Sequence, residues 1–454
     1  MGLPLSKGHF RASLLNRIIV TCVLSFIFSI SISSSQAAGE EEGDIKKEIQ
    51  ELRQQMQQMQ EKLEELEKKN MELESRAKKA EEEKKTEEEI KEITQAPPLK
   101  EGLFQRTVQT LNPDISVIGL FSAAYYSTNN PPMLVENDPQ NTGVNFQEGE
   151  VGFQSVVDPY FRFDAFISFT KSAFETEEIY GTSLFSLPLG LQFRGGVMRS
   201  KFGRINQIHR HAQDFVTLPL VAARFLAEHL NPAGIEANVL VPVPWFLELS
   251  ASVNSPYDLE TPTFAPDEDM NNLGLLLYVF HVANFFEISD SLSLNVGGSF
   301  ATGPDGTGEK NRSYLWGADI FAKYRPLRNN PYQAVMFQSE FMSRRSQTPA
   351  ENLKDWGFYS QVVYRFAKRW NTGFRFGFTD TSTPVPIPPG GTDGEMLGLP
   401  GREYRISPML TFSPTEFTRF KLEYDYTDPD FANNVSAFFL QFEWAMGAHG
   451  AHPF

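Results

Sequence analysis

From residue 114 onward, apolar side chains recur at every second position, segment after segment, between short clusters of Pro, Gly, Asp and Asn. A strand points successive side chains to opposite faces, so each such segment has one apolar and one polar face. In 160–170, Phe161, Phe163, Ala165, Ile167 and Phe169 fall on one side. Arg162, Asp164, Ser168 and Thr170 fall on the other, and only Phe166 breaks parity. In 435–446, Phe438, Leu440, Phe442, Trp444 and Met446 oppose Ala437, Phe439, Gln441 and Glu443. A soluble sandwich or propeller has no use for Phe, Trp and Leu on an outer face in strand after strand. A transmembrane β-barrel does, because lipid lies outside and water inside. The 39 phenylalanines and 13% aromatic content fit aromatic girdles at the two membrane interfaces.

The pattern predicts an all-β fold: a sixteen-stranded antiparallel transmembrane barrel over 114–454, preceded by a helical coiled coil. The fifth strand is expected at 191–203. Connections alternate between tight turns, such as Asp158-Pro159 and Ser289-Asp290, and long polar stretches at 127–145, 204–233, 255–272 and 381–401. Short periplasmic turns and long external loops are the usual barrel arrangement, and an even strand count returns both ends to the periplasm.

Residues 1–38 have the layout of a secretory signal peptide: Lys7, Arg11 and Arg17, then an apolar run from Ile18 to Ile32, then small residues up to Ala38. The single cysteine, Cys22, lies inside it, so the mature chain is expected to form no disulfide. Residues 39–95 are expected to form a periplasmic coiled coil. Ile45, Ile49, Leu52, Met56, Met59, Leu63, Leu66, Asn70, Leu73, Ala77 and Ala80 step by four and three, flanked by Glu, Lys, Gln and Arg. Asn70, at a seam position, is the candidate for fixing oligomer register. Residues 96–113 form a linker opened by Pro97-Pro98.

The net charge of −16 argues against a nucleic-acid partner, which needs a basic footprint. Neither a phosphate cradle nor a nucleophile elbow appears, so no enzymatic activity and no cofactor are expected.

The connection 204–233 stands apart. It carries Leu218, Leu220, Val221, Phe225, Leu226 and Leu230, which a wholly hydrated loop would not need. The expectation is that it folds into the lumen and narrows the channel. Candidate pore-lining residues gather around it: Arg162, Arg194, Arg199, Lys201, Arg204, Arg210 and Arg224. Arg194 differs in parity from Arg199 and Lys201, so a shared face requires a bulge near Gly195-Gly196. The planar guanidinium suits carboxylates and other anions. Glu148, Glu150, Asp164, Glu175 and Glu177 offer a facing acidic wall, or partners that simply neutralise the bases. His209 and His211, in HxH spacing, are candidate metal ligands, as are His449 and His452 in the tail; hydrogen-bonded or solvated histidines are the alternative.

The heptad at 45–80, the segment 191–204 (LQFRGGVMRSKFGR) and the long connection after it resemble trimeric outer-membrane porins of the phosphate-selective porin O/P-like group with an N-terminal coiled coil. That resemblance implies a homotrimer passing small, often anionic, solutes, with Arg194, Arg199, Lys201 and Arg204 lining the lumen. The barrel departs from a phosphate channel in its acidity and in lacking a dense lysine ladder. Residues 146–161 and the tail 447–454 also resemble proteins described as zinc-regulated TonB-dependent outer-membrane receptors. Such receptors are built on about 22 strands around a plug.

Three functions follow as expectations. The first is an outer-membrane porin for small, anionic solutes, constricted by 204–233, with membrane lipid and further copies of the chain as partners. The second is a substrate-specific, energy-gated receptor of the TonB-dependent kind, with a metal complex as one candidate substrate. The third is an envelope tether acting through the coiled coil.

Overall fold

The computed structural model describes residues 113–447, apart from 130–134, 136, 172, 186, 258, 260, 267–272, 309, 327–331, 383–384, 387–395 and 399. The expected signal peptide, the coiled coil with Asn70, nearly all of the linker, and His449 and His452 lie outside the described residues.

Sixteen antiparallel strands close into one barrel. In chain order they begin with β1 (Asp114–Tyr126), β2 (Gly143–Val156), β3 (Phe161–Phe169), β4 (Phe174–Ser183), β5 (Gln192–Val197), β6 (Ala233–Leu240), β7 (Phe246–Asn254) and β8 (Leu277–Ser289). They continue with β9 (Leu292–Pro304), β10 (Arg312–Tyr324), β11 (Ala334–Gln347), β12 (Asn352–Ala367) and β13 (Trp370–Thr381). A two-stranded pair, β14 (Val385–Pro386) and β15 (Met396–Gly398), lies within the next connection. The barrel ends with β16 (Gly401–Phe412), β17 (Thr418–Pro429) and β18 (Val435–Gly447). Each barrel strand pairs with its successor, and β1 pairs with β18 from Ser116↔Gly447 to Tyr126↔Ala437. Closure leaves no unpaired edge, which lipid could not satisfy.

The period-two pattern explains the two faces. On β17, Lys421, Glu423, Asp425 and Thr427 are buried toward the interior, while Leu422 is half exposed outward. Outward aromatics form a ladder across β16, β17 and β18 that continues along β18: Phe412–Phe420, Phe420–Phe442 and, within β18, Phe442–Trp444 have ring centroids 6.4, 4.7 and 4.3 Å apart.

The structure departs from the expected pattern at three places, all near one part of the lumen. β5 stops at Val197 instead of continuing to residue 203. Gly196 has φ +139°, and a Cβ there would collide with the carbonyl oxygen of Ile179 on β4. Only glycine takes that conformation cheaply, and the chain leaves the sheet just after it. In β2, Gln147 is the extra residue opposite Leu120/Phe121; in β4, Glu177 is the extra residue opposite Phe166/Ile167. A bulge turns two consecutive side chains to the same side. Glu177 and Glu178 are therefore both buried inside, as are Gln147 and Glu148. The parity break at Phe166 falls at the same bulge.

Candidate functional site: the segment crossing the lumen

Between β5 and β6 the chain runs inside the barrel. Its two ends are tied together first. The Asn206 side-chain amide donates to the Ser200 and Leu230 carbonyls at 2.8 and 3.1 Å, and its oxygen accepts from the Leu230 N–H at 2.7 Å.

The apolar half of the segment faces β8 to β13. Helix α1 (Leu220–Leu226) is seven residues long and every one is buried. It lies in one cluster with Phe202, Leu218, Leu230 and the inward Phe264, Leu315, Met342 and Tyr359. Gly357 and Gly377 on β12 and β13 leave room for it; a Cβ at Gly357 would stand 3.1 Å from Val221. Phe264 belongs to the connection 255–276, which also reaches inside, and Thr263 there donates to the Phe225 carbonyl at 2.5 Å. This burial accounts for the apolar run noted in the sequence.

The polar half is pinned by carboxylates from strands all round the barrel. Glu340 on β11 accepts from the Arg204 and Ile205 N–H groups at 3.1 and 2.7 Å. Glu423 on β17 accepts from the Val216 N–H and lies 2.7 Å from the Thr217 hydroxyl. Arg375 on β13 donates to the Thr217 carbonyl at 2.7 Å and reaches Glu423 at 3.2 Å. Lys421 donates to the Gln213 carbonyl at 2.5 Å. These groups lie far apart in sequence, so no local spacing announced them. The one available signal was their shared inward parity.

His209 is the centre of the densest cluster. Its Nδ1 lies 2.9 Å from Glu150 on β2 and 2.9 Å from Glu177 on β4, and its Nε2 lies 2.9 Å from Glu178. His211 Nδ1 is 3.3 Å from the same Glu150 oxygen, and Phe166 packs edge-on against His209 at 4.8 Å. Arg199 donates to Glu177 at 3.1 Å and to the Ile208 carbonyl at 3.0 Å. Burial alone would lower the pKa of His209, but Glu177 and Glu150 carry it well above the ordinary histidine value. His229 has the opposite fate: burial, then Arg199, push it down to about 3. Glu228 is raised by burial against a smaller lowering by Arg210, and it accepts from Asn137 at 2.5 Å.

Every candidate base is found in contact with the barrel interior or its rim. Arg162 pairs with Asp164 at 2.7 Å, Arg194 with Glu236 at 2.8 Å, Lys201 with Glu248 at 2.5 Å and Arg224 with Glu403 at 2.6 Å. Arg210 pairs with Asp138, and Arg204 lies 4.0 Å over the Phe321 ring. Arg199 meets His209 and His211 in one cluster, while Arg162, Arg194, Arg204 and Arg224 stand at separate positions round the wall. The bulge expected at Gly195-Gly196 is not there: β5 pairs in regular register with β4 and β6 through both glycines, and the chain instead leaves the sheet after Val197. Of the expected acidic wall, Glu148, Glu150 and Glu177 surround the histidines and Asp164 serves Arg162.

Closed topology, an outer apolar belt and a polar interior crossed by one long connection define the class: an outer-membrane-type β-barrel with the fold of sixteen-stranded porins. Among solved structures, OprB of Pseudomonas putida aligns with a TM-score of 0.50 at 10% identity, covering 76% of this chain and 96% of that one. The outer-membrane channel DcaP of Acinetobacter baumannii aligns at 0.48 and 9% identity, covering 74% and 98%. An anion-selective porin from Comamonas acidovorans aligns at 0.47 and 9%, covering 74% and 100%. No family model matches the sequence. A protein of Aquifex aeolicus (strain VF5), described as an uncharacterized protein, is 31% identical over 343 residues, spanning 69% of this chain and 71% of the relative. The chain belongs to the family of that Aquifex protein.

Proposed function

We propose that the protein is an outer-membrane channel for diffusion of small solutes, in which the segment 204–233 partitions the lumen and sets what passes. One observation carries this reading: the segment is hydrogen-bonded to Glu150 and Glu178 on β2 and β4 and, across the barrel, to Glu340 on β11. A connection held on opposite walls is a fixed partition. Arg162, Arg194, Arg199, Lys201, Arg210, Arg224 and Arg375 each pair with an acid, so the charge preference of the pathway falls to groups that keep some exposure. Arg162, 43% exposed at its side chain, is the foremost of these, with Arg194 and Lys201 behind it, and they favour anionic solutes. Arg199, Arg204, Arg210 and Arg224 act in this proposal by holding the partition in place. The assembly is a homotrimer in the bacterial outer membrane, its coiled coil in the periplasm.

Planar-bilayer recording of the purified protein tests the reading. Conductance steps in threes with anion-preferring reversal potentials are expected, and removal of 206–230 should raise unit conductance several-fold. Unchanged conductance after that deletion would remove the partition role, and a silent bilayer would favour a gated receptor or a tether.

A further inference from the structure

The geometry points to a divalent transition-metal site formed by His209, His211 and Glu150, with Glu177 beside it, joining the lumen segment to β2 and β4. One ligand atom from each of His209, His211 and Glu150 lies within 4.8 Å of the others, and Glu150 stands equally in a second group with Glu148 and Glu177. All five residues are buried.

The spacing suits a small ion. With metal–nitrogen and metal–oxygen bonds near 2.1 Å, tetrahedral donors stand roughly 3.4 Å apart. His211 Nδ1 and Glu150 Oε2 are already 3.3 Å apart, and His209 Nδ1 need move only a few tenths of an ångström from its 2.9 Å contact with the same oxygen. Two imidazoles and carboxylates form the donor set of a borderline ion such as Zn2+, while Mg2+ and Ca2+ ask for oxygens alone.

Two further observations indicate a ligand. Glu150 Oε1 is buried and has no hydrogen-bond partner among the described residues, inside a cluster that already crowds three carboxylates. Such crowding is costly unless positive charge sits among the oxygens, and a metal ion would supply it in place of the His209 imidazolium. Arg199 answers for Glu177. The second is the supporting shell. With Nδ1 turned to the cluster, His209 directs Nε2 at Glu178, whose other oxygen accepts from the Arg199 N–H at 2.8 Å. A carboxylate holding the far nitrogen of a ligating histidine is the arrangement that fixes ring orientation at metal centres.

The test uses the full chain in detergent with His449→Gln and His452→Gln as background, so that the tail cannot contribute. After chelator treatment it is titrated with Zn2+ and, separately, with Co2+, whose visible absorption reports coordination. The expected result is saturable binding at one ion per chain with a low-coordinate Co2+ spectrum. His211→Gln should weaken binding at least tenfold, and Glu178→Gln, which orients His209 without ligating the ion, about tenfold or more. His281→Gln, at a buried histidine bonded to Ser299 outside the cluster, should leave binding unchanged. Heat-modifiable migration confirms folding, and Glu150→Gln replaces His211→Gln if the latter does not fold. No stoichiometric binding, or binding indifferent to both His211→Gln and Glu150→Gln, overturns the site. The outcome is independent of whether the barrel conducts.

Discussion

The two halves of the lumen segment are held by opposite physics. Residues 218–230 dock as a hydrophobic element would in any soluble core: α1 is wholly buried against the inner faces of β11 to β13. Residues 199–217 lie in a polar lumen and are held by Glu150, Glu178, Glu340 and Glu423, each accepting from a specific N–H, hydroxyl or imidazole. Apolar contact is tolerant of rearrangement, because many side chains of similar volume serve equally. Carboxylate anchoring is not: removing one acceptor strands several donors in a place water barely reaches. The anchored half should therefore be the brittle one.

Deleting 206–230 removes both halves and is the largest perturbation, with a several-fold rise in unit conductance expected. Glu423→Ala comes next. It strands the Val216 N–H and takes the ion-pair partner from buried Arg375, at a cost on the order of 3–5 kcal/mol, read as faster hydrogen exchange at Val216 and Thr217. Leu226→Ala tests the apolar half. It should lower stability in denaturant by about 3 kcal/mol while leaving exchange at Val216 unchanged. If Leu226→Ala opens the polar half as well, the two halves are one cooperative unit and the contrast fails.

Acidity separates the halves further. His229, depressed to about 3, favours the docked segment above pH 6.5, and that contribution is lost as pH falls from there toward 3, at about 1.4 kcal/mol per unit. His209 is raised, so its contribution is complete below pH 6.5 and is lost as pH climbs through its elevated value. Docking is thus firmest between the two limits. Conductance against pH should pass through a minimum, and His229→Gln should erase its acid limb. The smallest effect is expected of Arg162→Ala. Its exposed pair contributes less than about 1 kcal/mol, so stability should hold while the reversal potential moves toward cations.

Much of the barrel was legible because lipid imposes a strict period of two. β1 falls at 114–126 as read, and the strand count and closure agree with the pattern. The apolar stretch 218–230 was equally plain, since a loop has no other reason to be greasy. What escaped the sequence was register. The bulges at Gln147 and Glu177 are single extra residues, and they decide that Glu177 and Glu178 both face His209. The shortening of β5 hangs on one positive φ at Gly196. Glu340 and Glu423 looked like any inward acids, because their donors sit some 135 and 207 residues away.

Asn206 deserves a last consequence. By bonding Ser200 and Leu230 it shuts the excursion into a ring whose neck is independent of its contents. The barrel wall then meets a closed cassette in place of a loose strand end. Sequence between 207 and 229 can drift, lengthen or be exchanged for another recognition element while the sheet around it keeps its register, so one scaffold can acquire new permeants without being refolded.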